Sequence, residues 1–139
     1  MAKLVLRDCF ISVDAVDLSD HCSSVTIEGA FDEVDVTGFG AAFKEILLGL
    51  GDGTITLAVF QDFDVASVDD TLWPLLGSND GFEVIVRPTS AAVSTTNPQF
   101  TMTGVLPSYN PLAGSIGEAS TTEVAIRNSS PTGIVRTTA

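Results

Sequence analysis

Short runs rich in Val, Ile, Thr and Phe recur along this chain between clusters of Gly, Asp, Asn and Pro, and that punctuation admits few folds. Runs of β-branched and aromatic residues bounded by turn formers read as strands. Residues 54–60 put Ile55, Leu57 and Val59 on one parity, residues 82–87 do so with Phe82, Val84 and Val86, and residues 100–106 and 120–128 repeat the alternation. Successive side chains of a strand point to opposite faces, so each run predicts a half-buried strand. Residues 21–28 fit the same pattern, with Val25 and Ile27 inward and Ser24, Thr26 and Glu28 outward. Residues 3–13 differ, because Val5, Cys9, Ile11 and Val13 share one parity while Leu4, Leu6 and Phe10 occupy the other. A strand apolar on both faces is deeply buried or lies between two surfaces.

The connections carry their own signals. Asp52-Gly53 is a turn dipeptide, and residues 88–99, rich in Pro, Ser and Thr and containing Asn97-Pro98, read as a long hairpin loop. Two short helices are expected. In residues 41–50, Phe43, Ile46, Leu47 and Leu50 fall at the i, i+3, i+4, i+7 spacing, with Gly49 and Gly51 as stop signals. A second runs over residues 65–73, capped by Asp64 or Ser67, burying Val68 and Leu72 and ending before Pro74. Many strands, two short helices and no βαβ rhythm predict a mainly β fold, a β-sandwich or open β-barrel with one or two flanking helices. One domain spans residues 1–127, and residues 128–139, with their Ser, Thr, Gly and Pro, make a C-terminal arm or loose tail.

Composition narrows function. The chain has 139 residues, 45% of them hydrophobic and 17% charged, so it folds rather than staying disordered. Eighteen Asp and Glu against six Lys and Arg give a formal net charge of −12, which repels phosphate and disfavours nucleic-acid binding. No charged-then-apolar leader is visible, and no apolar run approaches the ~18 residues of a membrane-spanning helix, so a soluble chain made in the cytoplasm is expected.

Catalytic and cofactor chemistry find little support. His21 and Cys22 are neighbours on a strand and diverge to opposite faces, so they do not pair as nucleophile and base. One His with Cys9 and Cys22 falls short of a metal ligand set, and free thiols are expected. Asp62, Asp64, Asp69 and Asp70 cluster, but without the glycine turn and closing Glu of a calcium loop they read as acids decorating a helix N-terminus. The glycines of residues 37–40 and 49–53 lack the Lys-Ser/Thr of a phosphate loop. No enzyme, metal or cofactor is predicted.

Residues 31–53 are long for a connection and apolar for a surface loop, carrying Phe39, Phe43, Ile46, Leu47 and Leu50. Apolar excursions of this kind fold back as core or mark contact with another subunit. The order of elements, Val16-Asp17-Leu18-Ser19-Asp20-His21, then residues 32–40 (DEVDVTGFG), then Asp52-Gly53-Thr54-Ile55, Phe60-Gln61-Asp62-Phe63, Leu72-Trp73-Pro74-Leu75-Leu76 and Gly117-Glu118, resembles the tail tube (major tail) proteins of long, non-contractile-tailed bacteriophages.

That resemblance implies a β-sandwich-like subunit in a hexameric ring whose inner strands form a continuous barrel, the rings stacking into a virion tail tube after assembly in the host cytoplasm. Residues 31–53 would be the long loop that reaches a neighbouring ring. Partners would be other copies of the chain together with tape measure, distal tail and terminator proteins, and genomic DNA would pass without specific binding and without a membrane. On this reading Phe39, Phe43, Ile46, Leu47, Leu50, Ile134 and Val135 are candidate inter-subunit contacts, and Glu28 and Glu83, on the parity opposite the apolar face, are candidate lumen acids. A tail terminator, a capsid decoration protein and a secreted carbohydrate-binding β-sandwich are the competing functions.

Overall fold

A computed structural model describes residues 3–139. Eight strands follow in the order β1 (Phe10–Val13), β2 (Val16–Asp17), β3 (Cys22–Asp35), β4 (Ile46–Phe60), β5 (Phe82–Arg87), β6 (Gln99–Val105), β7 (Thr121–Asn128) and β8 (Val135–Thr137). One short helix, α1 (Val68–Leu72), lies between β4 and β5. All strand pairs are antiparallel, in the order β2-β1-β5-β6-β7-β4-β3, with β8 beside β6. The sheet is open, not closed into a barrel.

Its middle is its weakest seam. β6 and β7 share only the pairs Gly104↔Asn128 and Val105↔Arg127. A Cβ on Gly104 would stand 2.6 Å from the Arg127 carbonyl oxygen, so only glycine lets the two backbones approach this closely. About this seam the sheet curls, and the inward residues of its two limbs form one core: Ile11, Val13, Val84 and Met102 from one side, and Ile55, Leu57, Val59, Val124 and Ile126 from the other. The alternation expected for the strands at residues 54–60, 82–87, 100–106 and 120–128 is present, with Ile55, Val59 and Val84 fully buried.

Helix α1 closes one end of the core with Val68 and Leu72. It is shorter than the expected 65–73, starting after Ser67 and passing at Trp73 into a 3-10 turn that carries Pro74. Proline lacks the donor a longer helix would need. The loop between β5 and β6 lies where the Pro, Ser and Thr content put it, and buried Asn97 ties it together by bonding the Thr89 amide and the Ala91 and Ala92 carbonyls.

Five local expectations change. Only Phe10–Val13 of residues 3–13 is a strand, and Leu4, Val5 and Leu6 are exposed. His21 sits in a 3-10 turn, Ser19–His21, ahead of β3. Residues 41–50 form no helix: β4 begins at Ile46 and pairs with β3 through Leu48↔Glu33, Leu47↔Val34 and Ile46↔Asp35. Ile46, Leu48 and Leu50 also satisfy a period of two along the sequence, and a long strand partner wins over a helix interrupted by glycine. Asp52-Gly53 is accordingly no turn but lies within β4, opposite Ala30 and Gly29. Residues 128–139 are anchored, because β8 pairs with Gln99, Phe100 and Thr101 of β6.

Candidate assembly surface

Beyond Gly29 and Gly53, β3 and β4 leave the rest of the sheet and continue as a two-stranded arm, so residues 31–53 form a paired ribbon instead of a loop. At ~3.3 Å per residue the arm projects roughly 20 Å. A β-bulge between Phe31 and Glu33 re-aims its outer half. The neck of the tip is fastened locally: the Asp35 carboxylate accepts the Thr37 amide (2.9 Å) and hydroxyl (2.6 Å), and Thr37 Oγ1 accepts the Glu45 amide (2.8 Å). Those bonds from Thr37 hold the Asp35 carboxyl below the usual carboxylate range. Gly40, at φ 86°, supplies the left-handed residue of the tip.

Pairing register assigns the arm's faces. Phe31, Leu48 and Ile46 share one with Glu33 and Asp35, while Val34 and Leu47 occupy the other, and Leu50 lies at the bulge. All six apolar side chains are exposed, as are Phe39 and Phe43 at the tip, where Phe43 reaches 87%. An isolated two-stranded ribbon with both faces apolar is unstable in water and calls for a covering surface. Of the residues named from sequence, Phe39, Phe43, Ile46, Leu47 and Leu50 therefore come together on this arm. Ile134 does not join them: its Cδ1 reaches toward Gly29 and Gly53 at the arm's base, where it packs on the chain's own core. Val135 is exposed on β8. Phe31, Val34 and Leu48 were missed by sequence reasoning, although alternation carried past Asp52-Gly53 would have found them.

Glu28 and Glu83 are both exposed and both point away from the core. They lie on different limbs, Glu28 opposite Thr54 on β3 and Glu83 opposite Thr103 on β5. Limbs curled over one core present outer faces in diverging directions. The outer face of β3, β4 and β7 is polar throughout its center, with Ser24, Thr26, Glu28, Thr56 and Glu123, and Arg127 there pairs with Asp52.

The acids of residues 62–70 are engaged inside the fold. Asp62 accepts the Asp64 amide (2.9 Å), the Ser67 hydroxyl (2.7 Å) and His21 Nε2 (2.9 Å), Asp70 accepts the Ala66 amide, and Asp69 accepts the Tyr109 hydroxyl. The backbone bond from Asp64 and the hydroxyl of Ser67, with His21 behind them, pull the Asp62 carboxyl below its ordinary value. Partial burial disfavours a charged His21, but its bonds to Asp62 and Asp20 outweigh that and leave it more basic than usual. Cys9 and Cys22 are free thiols lining one groove between β1 and β3, and burial pushes Cys22 up to about 12. A thiol held so far from ionisation is a poor nucleophile. Among the described residues no group of three or more His, Cys, Asp or Glu is placed to hold a metal ion, and no helix is long and apolar enough to cross a membrane.

No protein-family model matches the chain, and no curated protein matches it by sequence. Solved structures do. A chain in the virion of the native gene transfer agent particle superposes with TM-score 0.73 at 17% identity, over 94% of this chain and 95% of that one. One in the tail of the empty gene transfer agent particle, of C6 symmetry, gives 0.67 at 16%, over 84% and 82%. A chain of the sheath-tube complex of an extracellular contractile injection system in its extended state gives 0.70 at 10%, over 99% and 93%. At these identities the likeness establishes a common fold, held over nearly the full length of each chain: the open antiparallel sheet described above is a fold found in tail and sheath-tube assemblies.

Proposed function

We propose that this chain is a structural virion protein, the subunit of a phage tail tube, in which copies close into hexameric rings that stack into a conduit for DNA. The observation that carries the reading is the β3–β4 arm, whose apolar residues lie on both faces and find no cover within their own chain. Two supports stand beside it. The whole-chain fold recurs in a gene transfer agent tail of C6 symmetry and in a sheath-tube complex, and ring stacking needs the head-to-tail contacts that a projecting arm provides. The role is architectural instead of catalytic, and its place is the virion tail, with tape measure, distal tail and terminator proteins as the further partners.

Within such a tube the polar outer face of β3, β4 and β7 is the channel wall, because it is the broad strand surface without large apolar side chains at its center. Carboxylates there repel phosphate and keep DNA from sticking. Negative-stain electron microscopy of the purified protein tests the reading: open-ended tubes of stacked six-fold rings are expected. Monomers at all concentrations would refute it, and single closed rings that never stack would make the chain a terminator instead.

A further inference from the structure

Two β-prone elements of this molecule lack a partner strand. The first is the outer edge of β3: it ends the sheet, its fourteen residues pair only with β4, and it is long for an unprotected edge. Edges of this length are normally shortened, covered or guarded by lysine, because their free N–H and C=O groups recruit other strands. The beginning of β3 faces the chain's own Leu6, Arg7 and Cys9 across a groove of about 420 Å³, and Gly29, Ala30 and Phe31 line a second groove with residues 130–134, but among the described residues no strand pairs with the outer edge of residues 28–35. The second element is residues 3–7, Lys-Leu-Val-Leu-Arg, strand-like in composition, unpaired and exposed at Leu4, Val5 and Leu6.

The two elements match in charge and in alternation. Residues 28–35 hold four acids, Glu28, Asp32, Glu33 and Asp35, and no base, whereas residues 3–7 hold two of the chain's six bases and no acid. Glu28, Asp32 and Val34 share one face of β3, and Phe31, Glu33 and Asp35 share the other. In an extended segment Lys3, Val5 and Arg7 likewise fall on one side, and Leu4 and Leu6 on the other. We propose that residues 3–7 of one copy add as a strand to the free β3 edge, within residues 28–35, of a neighbouring copy, Lys3 and Arg7 beside Glu28 and Asp32, which share a face at the same four-residue spacing, and Leu4 and Leu6 on the face of Phe31. Backbone pairing supplies the affinity and the two-sided pattern the specificity. Contact between two different surfaces of identical chains propagates from copy to copy, as ring closure or stacking requires. The inference rests on the tube-subunit reading and adds to it the edge and the segment that join.

Charge exchange tests it. Lys3→Glu with Arg7→Glu, and separately Glu28→Lys with Asp32→Lys, should each slow polymerisation followed by light scattering at least tenfold, and the four changes together should restore most of the rate. Amide hydrogen exchange of the unaltered protein should show residues 3–7 unprotected in the monomer and protected in the assembly. Tubes that form at the normal rate with Glu at positions 3 and 7 overturn the inference, as does protection already present in the monomer, which would place the segment on its own sheet. If the unaltered protein forms neither rings nor tubes, the tube reading falls as well; if tubes form while residues 3–7 exchange freely, this inference falls alone.

Discussion

His21 joins two segments distant in sequence, the turn before β3 and the loop before α1, through its bonds to Asp20 and Asp62. Both partners of the His21–Asp62 bond are shifted, and in opposite directions. His21 is more basic in the folded state than its ordinary value of 6.5, so its contribution is complete below that pH and is lost as pH rises through the raised value. Asp62 is more acidic than 3.8, so its contribution is complete above that pH and is lost as pH falls through the lowered value. The clasp therefore stabilises most between about pH 4 and 6. Urea unfolding against pH should show His21→Ala losing stability chiefly in that window and approaching the unaltered protein at pH 9. An equal loss at both pH values would mean that the imidazole acts through packing and not through charge.

At the scale of elements, the β3–β4 arm and β8 make opposite demands on the fold. Phe39 and Phe43 are exposed at the arm's tip, so replacing either by Ser leaves the monomer's unfolding free energy within about 0.5 kcal/mol, the usual range for surface changes. Tube formation should nonetheless be lost or sharply reduced in the same proteins, as read by electron microscopy. A drop of several kcal/mol in the monomer would instead identify the tip as core. Strand β8 behaves otherwise. Ile134 packs against the base of the arm and β8 pairs with β6, so deleting residues 131–139 should destabilise the monomer itself. Ile134→Ala alone should cost about 1–2 kcal/mol in urea titration, less than a full core truncation because the side chain is only partly buried. Unchanged stability after the deletion would make β8 an arm for neighbouring copies.

For the whole molecule, the proposed tube is where the excess of eighteen acids over six bases would act, through the face each acid occupies. Outer faces of the two limbs diverge, so one channel wall takes Glu28 or Glu83 but not both. On the assignment made above Glu28 and Glu123 face the lumen and Glu83 the exterior. A tube structure should show carboxylates outnumbering Lys and Arg on the inner wall, with Glu83 outside. Glu123→Lys tubes should retain short DNA at low salt that tubes of Glu83→Lys do not, since each lysine engaging phosphate adds counterion-release affinity. Equal retention by both would refute the assignment of the wall.

The inward faces of β4, β5, β6 and β7 are legible along the chain, because a half-buried strand writes its environment as a period of two and Ile55, Leu57, Val59, Val84 and Val124 obey it. Composition also marked residues 31–53 as apolar beyond the needs of a connection. The form of that segment was set by long-range pairing. Phe43, Ile46, Leu47 and Leu50 satisfy a helical period and Ile46, Leu48 and Leu50 an alternating one, and local pattern cannot choose between them. The choice came from β3, a strand eleven or more residues away in the chain, whose ladder fixes β4 out to Ile46 and carries the apolar faces clear of the core. Likewise Leu4, Val5 and Leu6 read as part of a strand deeply buried or lying between two surfaces, yet they lie exposed, because composition marks a segment as apolar and not what it packs against.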